Sequence, residues 1–264
     1  MRLFKYTSLN YISSCIENGI YASCLDKIND PFEGKGIRYK KEFRVVCLTS
    51  SPFQMLMWAY YVNHQGCCIE FDVSKINGIR KVLYIKEFQN HEDMNTGEII
   101  ESLYKKGNEW RHEKEFRLVY HKSNSDREFW VINKGNVFLK APVKKITFGY
   151  AAEMNDKYLE VVKYIYDYNK THEQKIEVSK CKLMQNKYQL EADKQYNLES
   201  EINELNFDHI QTKKEKTRLK KESVHLSRSS DIVSQTAHVT RYKPQVIKVE
   251  SFHLKPVSDH KDDS

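Results

Sequence analysis

Trp110 and the run Glu113-Lys114-Glu115-Phe116-Arg117 concentrate the residues best able to do chemistry into one short stretch. If Glu115 begins a strand, alternation sends Glu113, Glu115 and Arg117 to one face. Two carboxylates and a guanidinium there can hold a ribose hydroxyl or stabilise a developing cation. The guanidinium also favours the ionised form of the nearer carboxylate. Local sequence alone favours a plainer outcome, a solvent-facing strand whose salt-bridge ladder contributes little.

Two other stretches combine polar groups with large rings. Asn29-Asp30-Pro31-Phe32-Glu33 is a turn with a mechanism. Its Asx side chains bond nearby backbone, and Pro31 disfavours helix at Asp30. Leu56-Met57-Trp58-Ala59-Tyr60-Tyr61 reads as helix, where Trp58 and Tyr61 share a face. An aromatic stripe of this kind is more often core, but buried indole and phenol groups need polar partners. Lys5 and Tyr6 alternate on a first strand, so one of the pair at most points inward. These segments make a site if they fold onto one cleft, with Asn29, Asp30, Glu33, Trp58, Tyr61, Glu113, Glu115 and Arg117 around it.

The elements that must do this follow from periodicity. Strands are predicted at Leu3–Tyr6, Ile20–Leu25, Phe43–Leu48, Cys67–Phe71, Val82–Ile85, Glu115–Tyr120 and Val143–Phe148. A hairpin joins Phe129–Ile132 to Val137–Leu139 through Gly135, and a second joins Lys175–Leu183 to Lys187–Ala192. Helices are expected from Ser8 or Asn10 to Gly19, over Gln54–His64, Asn95–Lys106 and Met154–Tyr168. Strands and helices intersperse without strict β-α-β repetition. That order predicts an α+β domain over residues 1–198, with a mixed, mainly antiparallel sheet and flanking helices.

Beyond that point the composition changes. Residues 199–222 read as a charged helix and residues 223–264 as a disordered tail too polar to offset its ordering entropy. The chain carries +7 over 264 residues, and twelve Lys and Arg against eleven Asp and Glu in residues 199–264 leave +6 on residues 1–198. A positive excess suits an anionic ligand, and Lys213–Lys221 is a basic patch able to meet nucleic acid. No run of apolar residues is long enough for a membrane span. The N-terminal residues lack a signal-peptide pattern, so a cytoplasmic protein is expected. Six cysteines without a C-x-x-C pair argue against a zinc ribbon or thioredoxin chemistry, and the histidines lack metal-ligand spacing. G-x-G-x-x-G, P-loop, H-E-x-x-H and G-x-S-x-G motifs are missing too, which removes the commonest nucleotide and hydrolase readings.

Five blocks, in order, resemble a bacterial family known as domain of unknown function 2971. They are Phe4–Asn10, Asn29–Glu33, Leu56–Tyr61, Gly66–Phe71 and Trp110–Arg117, within residues 3–195. The family reads Met-Trp-x-His-Tyr where this chain has Tyr60 in the histidine's place, so no imidazole serves proton transfer there. A weaker similarity is to the ADP-ribosyltransferase-like fold. It implies NAD as substrate, a basic or polar first-strand residue (Lys5 or Tyr6), aromatic contacts from Tyr21 and from Trp58 or Tyr61, and Glu115 on the ribose. The resemblance therefore implies an NAD-consuming transferase or glycohydrolase acting on a small nucleotide. The alternatives are a non-catalytic module for nucleic acid or another partner, and a nuclease holding Mg²⁺ with Asp30, Glu33, Glu113 and Glu115.

Overall fold

The structure is a computed structural model, and it describes residues 1–88, 91–123, 128–152 and 155–203. In chain order the elements are β1 (Arg2–Thr7), α1 (Ile12–Glu17), β2 (Ile20–Tyr21), β3 (Ser23–Cys24), β4 (Phe43–Thr49) and α2 (Met55–Val62). Then come β5 (Cys67–Asp72), β6 (Arg80–Lys81), β7 (Leu83–Ile85), α3 (Thr96–Ser102), β8 (Lys105–Gly107) and β9 (Glu115–His121). The last group is β10 (Trp130–Asn133), β11 (Asn136–Leu139), β12 (Val143–Phe148), α4 (Asp156–Thr171), β13 (Glu177–Leu183) and β14 (Leu190–Ala192).

The main sheet runs β14-β13-β12-β5-β1-β4-β9-β6, with β3 also paired to β4. Its pairs are antiparallel except β12 with β13, which α4 connects. A parallel pair needs a crossover, and α4 supplies it by burying Tyr158, Val161, Val162 and Ile165. Asn155 caps that helix by accepting from the Tyr158 N–H at 3.0 Å. The protein is thus an α+β fold with a mixed, mainly antiparallel sheet and flanking helices.

Strand alternation separates two cores. Leu3, Val46, Leu48, Ile69 and Phe71 face α1 and α4, which contribute Ile12, Cys15 and the buried stripe of α4. On the opposite face Tyr6 and Cys68 meet Met57 and Trp58 of α2. Farther along that face, Phe43 and Val45 pack with Ile99 and Leu103 around α3. The candidate site lies on this second face, at Glu115 and Arg117 near the start of β9. All six cysteines are free thiols. Among the described residues, no helix is long and apolar enough to cross a membrane.

Several elements differ from the sequence expectation. The strand expected over Ile20–Leu25 breaks at Ala22, whose N–H bonds Val137; β2 joins β11 while β3 joins β4. The helix expected to reach Lys106 stops at Ser102. Tyr104 gives its carbonyl to the Leu83 N–H at 2.8 Å, and β8 pairs with β7 instead. Tertiary pairing here overrides an amphipathic pattern that would have continued the helix. Helix α2 ends at Val62 because Asn63 and His64 both take left-handed backbone, at φ 46° and 59°. Residues 198–203 are helical, and Leu198 and Ile202 pack on the first core. The remainder of the expected charged helix, the Lys213–Lys221 patch and the expected tail lie outside the described residues.

The close of α2 depends on one tight approach. A Cβ on Gly149 would sit 1.9 Å from the His64 carbonyl oxygen, while the Gly149 N–H bonds Gly66 at 2.9 Å. Gly149→Ala is expected to lower unfolding free energy by about 3 kcal/mol, an overpacking effect with no side chain lost. Urea unfolding with an unchanged midpoint would refute it.

Candidate functional site

Arg117 lies at the centre. It sits on β9 with no exposed surface, and a buried guanidinium must find acceptors for its fork of donors. Its Nε donates to Glu115 Oε1 at 2.7 Å and its Nη2 to Glu115 Oε2 at 2.8 Å, a bidentate pair. Its Nη1 donates to the Leu103 carbonyl at 2.7 Å, and Nη2 also donates to Glu33 Oε1.

Lys106 continues the chain of charges. Its Nζ donates to Glu113 Oε2 at 2.6 Å and to Glu115 Oε2 at 3.3 Å, and lies 4.7 Å from the Trp110 ring centre. Glu113 Oε1 accepts from the Tyr61 hydroxyl at 2.5 Å, and that hydroxyl accepts from Asn29 Nδ2 at 2.6 Å. The path therefore runs Asn29–Tyr61–Glu113–Lys106–Glu115–Arg117–Glu33, starting and ending on the same loop. Backbone bonds fix its middle: Thr49 Oγ1 donates to the Glu113 carbonyl at 2.7 Å, and the Tyr84 hydroxyl accepts from the Glu115 N–H at 2.8 Å. The loop braces itself through Asp30, which accepts from the Phe32 N–H at 2.9 Å.

Two cavities flank this path, and Lys106 belongs to the wall of both. The smaller, about 150 Å³, is lined by Lys5, Tyr6, Asn29, Tyr61, Glu113 and Glu115 among others. The larger, about 370 Å³, is walled by Phe32, Glu33, Phe88, His91 and Trp110, with Lys86 and Lys105 also contributing.

The three stretches singled out in the sequence thus meet, but in roles that need correction. Glu113, Glu115 and Arg117 are not a solvent-facing ladder; they are 2%, 3% and 0% exposed. Trp58 is not a stacking surface for a ligand. It is fully buried, its Nε1 donates to the Pro52 carbonyl at 2.9 Å, and it packs edge-on against Tyr6. Tyr21 belongs to the small β10–β11–β2 sheet, rests against Phe138 and lines neither cavity. Lys5 and Tyr6 both line the smaller cavity, where alternation had allowed one of them at most. Lys5 Nζ donates to the Cys47 carbonyl at 3.3 Å, and the Tyr6 hydroxyl to that of Ser51 at 2.9 Å. The nuclease reading loses its ligand set: Lys106 and Arg117 occupy the spaces between Glu33, Glu113 and Glu115. Among the described residues no three His, Cys, Asp or Glu side chains gather into a group able to hold a metal.

Sequence reasoning missed Lys106, the cation shared by both cavities, because the pattern Ile99, Ile100, Leu103, Tyr104 assigned it to a helix end. It also missed Phe88 and Trp110 as walls of the larger cavity. A signal for Lys106 exists only in hindsight of burial: a chain with three converging acids requires a second cation beside Arg117.

Three carboxylates face two cations, and the imbalance falls on Glu33. Burial pushes its pKa up to about 7, outweighing the attraction of Arg117 and Lys106. Burial acts on Glu115 in the same direction, but the charge and hydrogen bonds of Arg117, with Lys106, bring it down to about 2. Lys106 is penalised by burial yet held above its ordinary value by Glu115, Glu33 and Glu113. Burial and then Glu113 hold the Tyr61 phenol well above its ordinary range.

These shifts have opposite signs in stability. Glu33 has a folded pKa above its ordinary 4.5, so its contribution is full below that value and is lost as pH rises through about 7. Glu115 contributes above 4.5 and loses its contribution as pH falls through about 2. From about pH 5 to 8 the protein is expected to lose on the order of 2 kcal/mol that Glu33→Gln does not lose. Chemical denaturation across that window checks this, and parallel profiles for the two proteins would refute it.

Comparison with family models, with curated proteins and with solved structures found no match, so geometry and residue chemistry carry the reading of this site.

Proposed function

We propose that this protein binds an NAD-type dinucleotide with its nicotinamide ribose in the smaller cavity and cleaves the nicotinamide–ribose bond. The observation that carries the reading is the meeting of Asn29, Tyr61, Glu113 and Lys5 in the lining of one cavity, where the Tyr61 hydroxyl joins Asn29 to Glu113. In such a cleavage nicotinamide departs with the bonding electron pair, and positive charge develops on the ribose. A carboxylate already fixed by Lys106 and Tyr61 stabilises that charge without reorganising. Water, or an acceptor's hydroxyl, then adds at the same carbon and loses its proton to solvent. Glu113 takes the role nearest the ribose, since its Oε1 is held by the partly buried Tyr61 hydroxyl of the same cavity, whereas Glu115 is paired bidentately with the fully buried Arg117. Lys5 suits the pyrophosphate. The weaker similarity to the ADP-ribosyltransferase-like fold supports the reading by order and residue type, as an analogy.

One observation favours a second reading, a nucleotide-binding module without chemistry. Both oxygens of Glu113, like those of Glu115, already accept from protein groups, as in a structural ion network.

The two separate in one experiment on the full chain, with NAD binding followed by calorimetry and nicotinamide release by chromatography. Tyr61→Phe is the informative variant, because it removes one hydroxyl from the path and keeps the ring. Nicotinamide release that falls about a hundredfold in kcat/KM on Tyr61→Phe, with NAD binding retained, is the expected outcome. Binding without release assigns the module. Absence of both binding and release removes the proposal.

A further inference from the structure

Cations outnumber acids around the smaller cavity, and two of them answer no carboxylate. Its lining carries Lys5, Lys27 and Lys106 against Glu113 and Glu115. Lys106 pairs with both acids, and Arg117, outside the lining, pairs with Glu115 again. The acids are thus neutralised before any ligand arrives. Even with Glu33 ionised beside Arg117, four cations (Lys5, Lys27, Lys106 and Arg117) stand against three acids.

Lys5 and Lys27 are the surplus, for among the described residues neither forms an ion pair. Lys5 is half-buried on β1, and its Nζ donates to the Cys47 carbonyl at 3.3 Å, a neutral acceptor that uses one of three donors. An ammonium partly withdrawn from water without a countercharge favours an anion beside it. Lys27 ends the short 3-10 turn Leu25–Lys27 and is exposed. Its neighbour Asp26 is exposed too, but does not belong to the lining.

Size narrows the occupant. The cavity holds about 150 Å³, whereas pockets that take a whole drug-sized ligand start at roughly 300 Å³. It therefore surrounds one part of a larger molecule, a unit the size of a phosphorylated sugar. Ser23 and Asn29 add neutral hydrogen-bonding groups suited to hydroxyls.

We propose that Lys5 and Lys27 form a phosphoryl-binding site in the smaller cavity, and that the unit held there is a ribose 5-phosphate. The sugar half rests on the ribose placement of the proposed function; the phosphoryl half rests on the two surplus lysines alone. A mononucleotide is then sufficient for recognition, the second half of a dinucleotide lying beyond the lining.

Calorimetry of the full chain with ribose 5-phosphate, ribose and inorganic phosphate tests this. Ribose 5-phosphate is expected to bind about tenfold tighter than ribose, and less tightly as ionic strength rises. Lys27→Gln, at an exposed position, should weaken ribose 5-phosphate about tenfold with an unchanged melting temperature, while Lys27→Arg retains most of the affinity. No binding of ribose 5-phosphate, equal affinity for ribose, or indifference to Lys27→Gln would each overturn the phosphoryl site. Inorganic phosphate that binds as tightly as ribose 5-phosphate, and depends equally on Lys27, would uphold the phosphoryl site and overturn the sugar. Ribose 5-phosphate binding by a protein that releases no nicotinamide overturns the cleavage and leaves this site standing. Nicotinamide release without ribose 5-phosphate binding overturns this site alone.

Discussion

A guanidinium with no exposed surface organises this half of the molecule. Arg117 cannot lose its proton, so every element around it must offer an acceptor. Glu115 comes from its own strand, Glu33 from a loop far back in the chain, and the Leu103 carbonyl from the turn after α3. Each contact fixes a separate segment. The bond to Leu103 helps end α3, which frees Lys105–Gly107 to pair with β7 and brings Lys106 inward. Exchanging such an ion network for apolar side chains is often neutral or stabilising, so its value here is positional. It closes the Asn29–Glu33 loop against β9 and α2 at both ends.

The same constraint explains what the sequence could and could not reveal. Periodicity was sufficient for β4, β5, β9, β12 and α4, where long alternating or amphipathic runs coincide with burial on a defined face. The convergence of Asn29, Tyr61 and Glu113 was legible in outline, because turn-formers, rings and acids stood out against their surroundings. Orientation was not. Nothing in Glu-Lys-Glu-Phe-Arg distinguishes an exposed ladder from a buried one, since the distinction is made by Glu33, eighty-four positions from Arg117. Trp58 misled for the converse reason: its polar company is the Pro52 carbonyl, a group invisible in side-chain patterns.

The two cavities are opposite sides of one structural decision. Lys106 reaches between them and answers Glu113 and Glu115, while Glu33 answers Arg117 from the wall of the larger one. With three acids against two bases, the network is one negative charge from balance, and burial pushes the pKa of Glu33, the member with an unused oxygen, up to about 7. The wall of the larger cavity therefore carries a group whose charge the rest of the chain sets.

The position of β1 has a bearing on biogenesis. This strand is synthesised before either of its neighbours, yet it lies inside the sheet between β4 and β5, whose Cys67–Asp72 partners follow some sixty residues later. Its ladder groups must wait on the ribosome for that chain to emerge, and β12 closes the next gap only at Val143–Phe148. Nascent protein of intermediate length consequently carries unpaired strand edges, the state in which holding chaperones matter most.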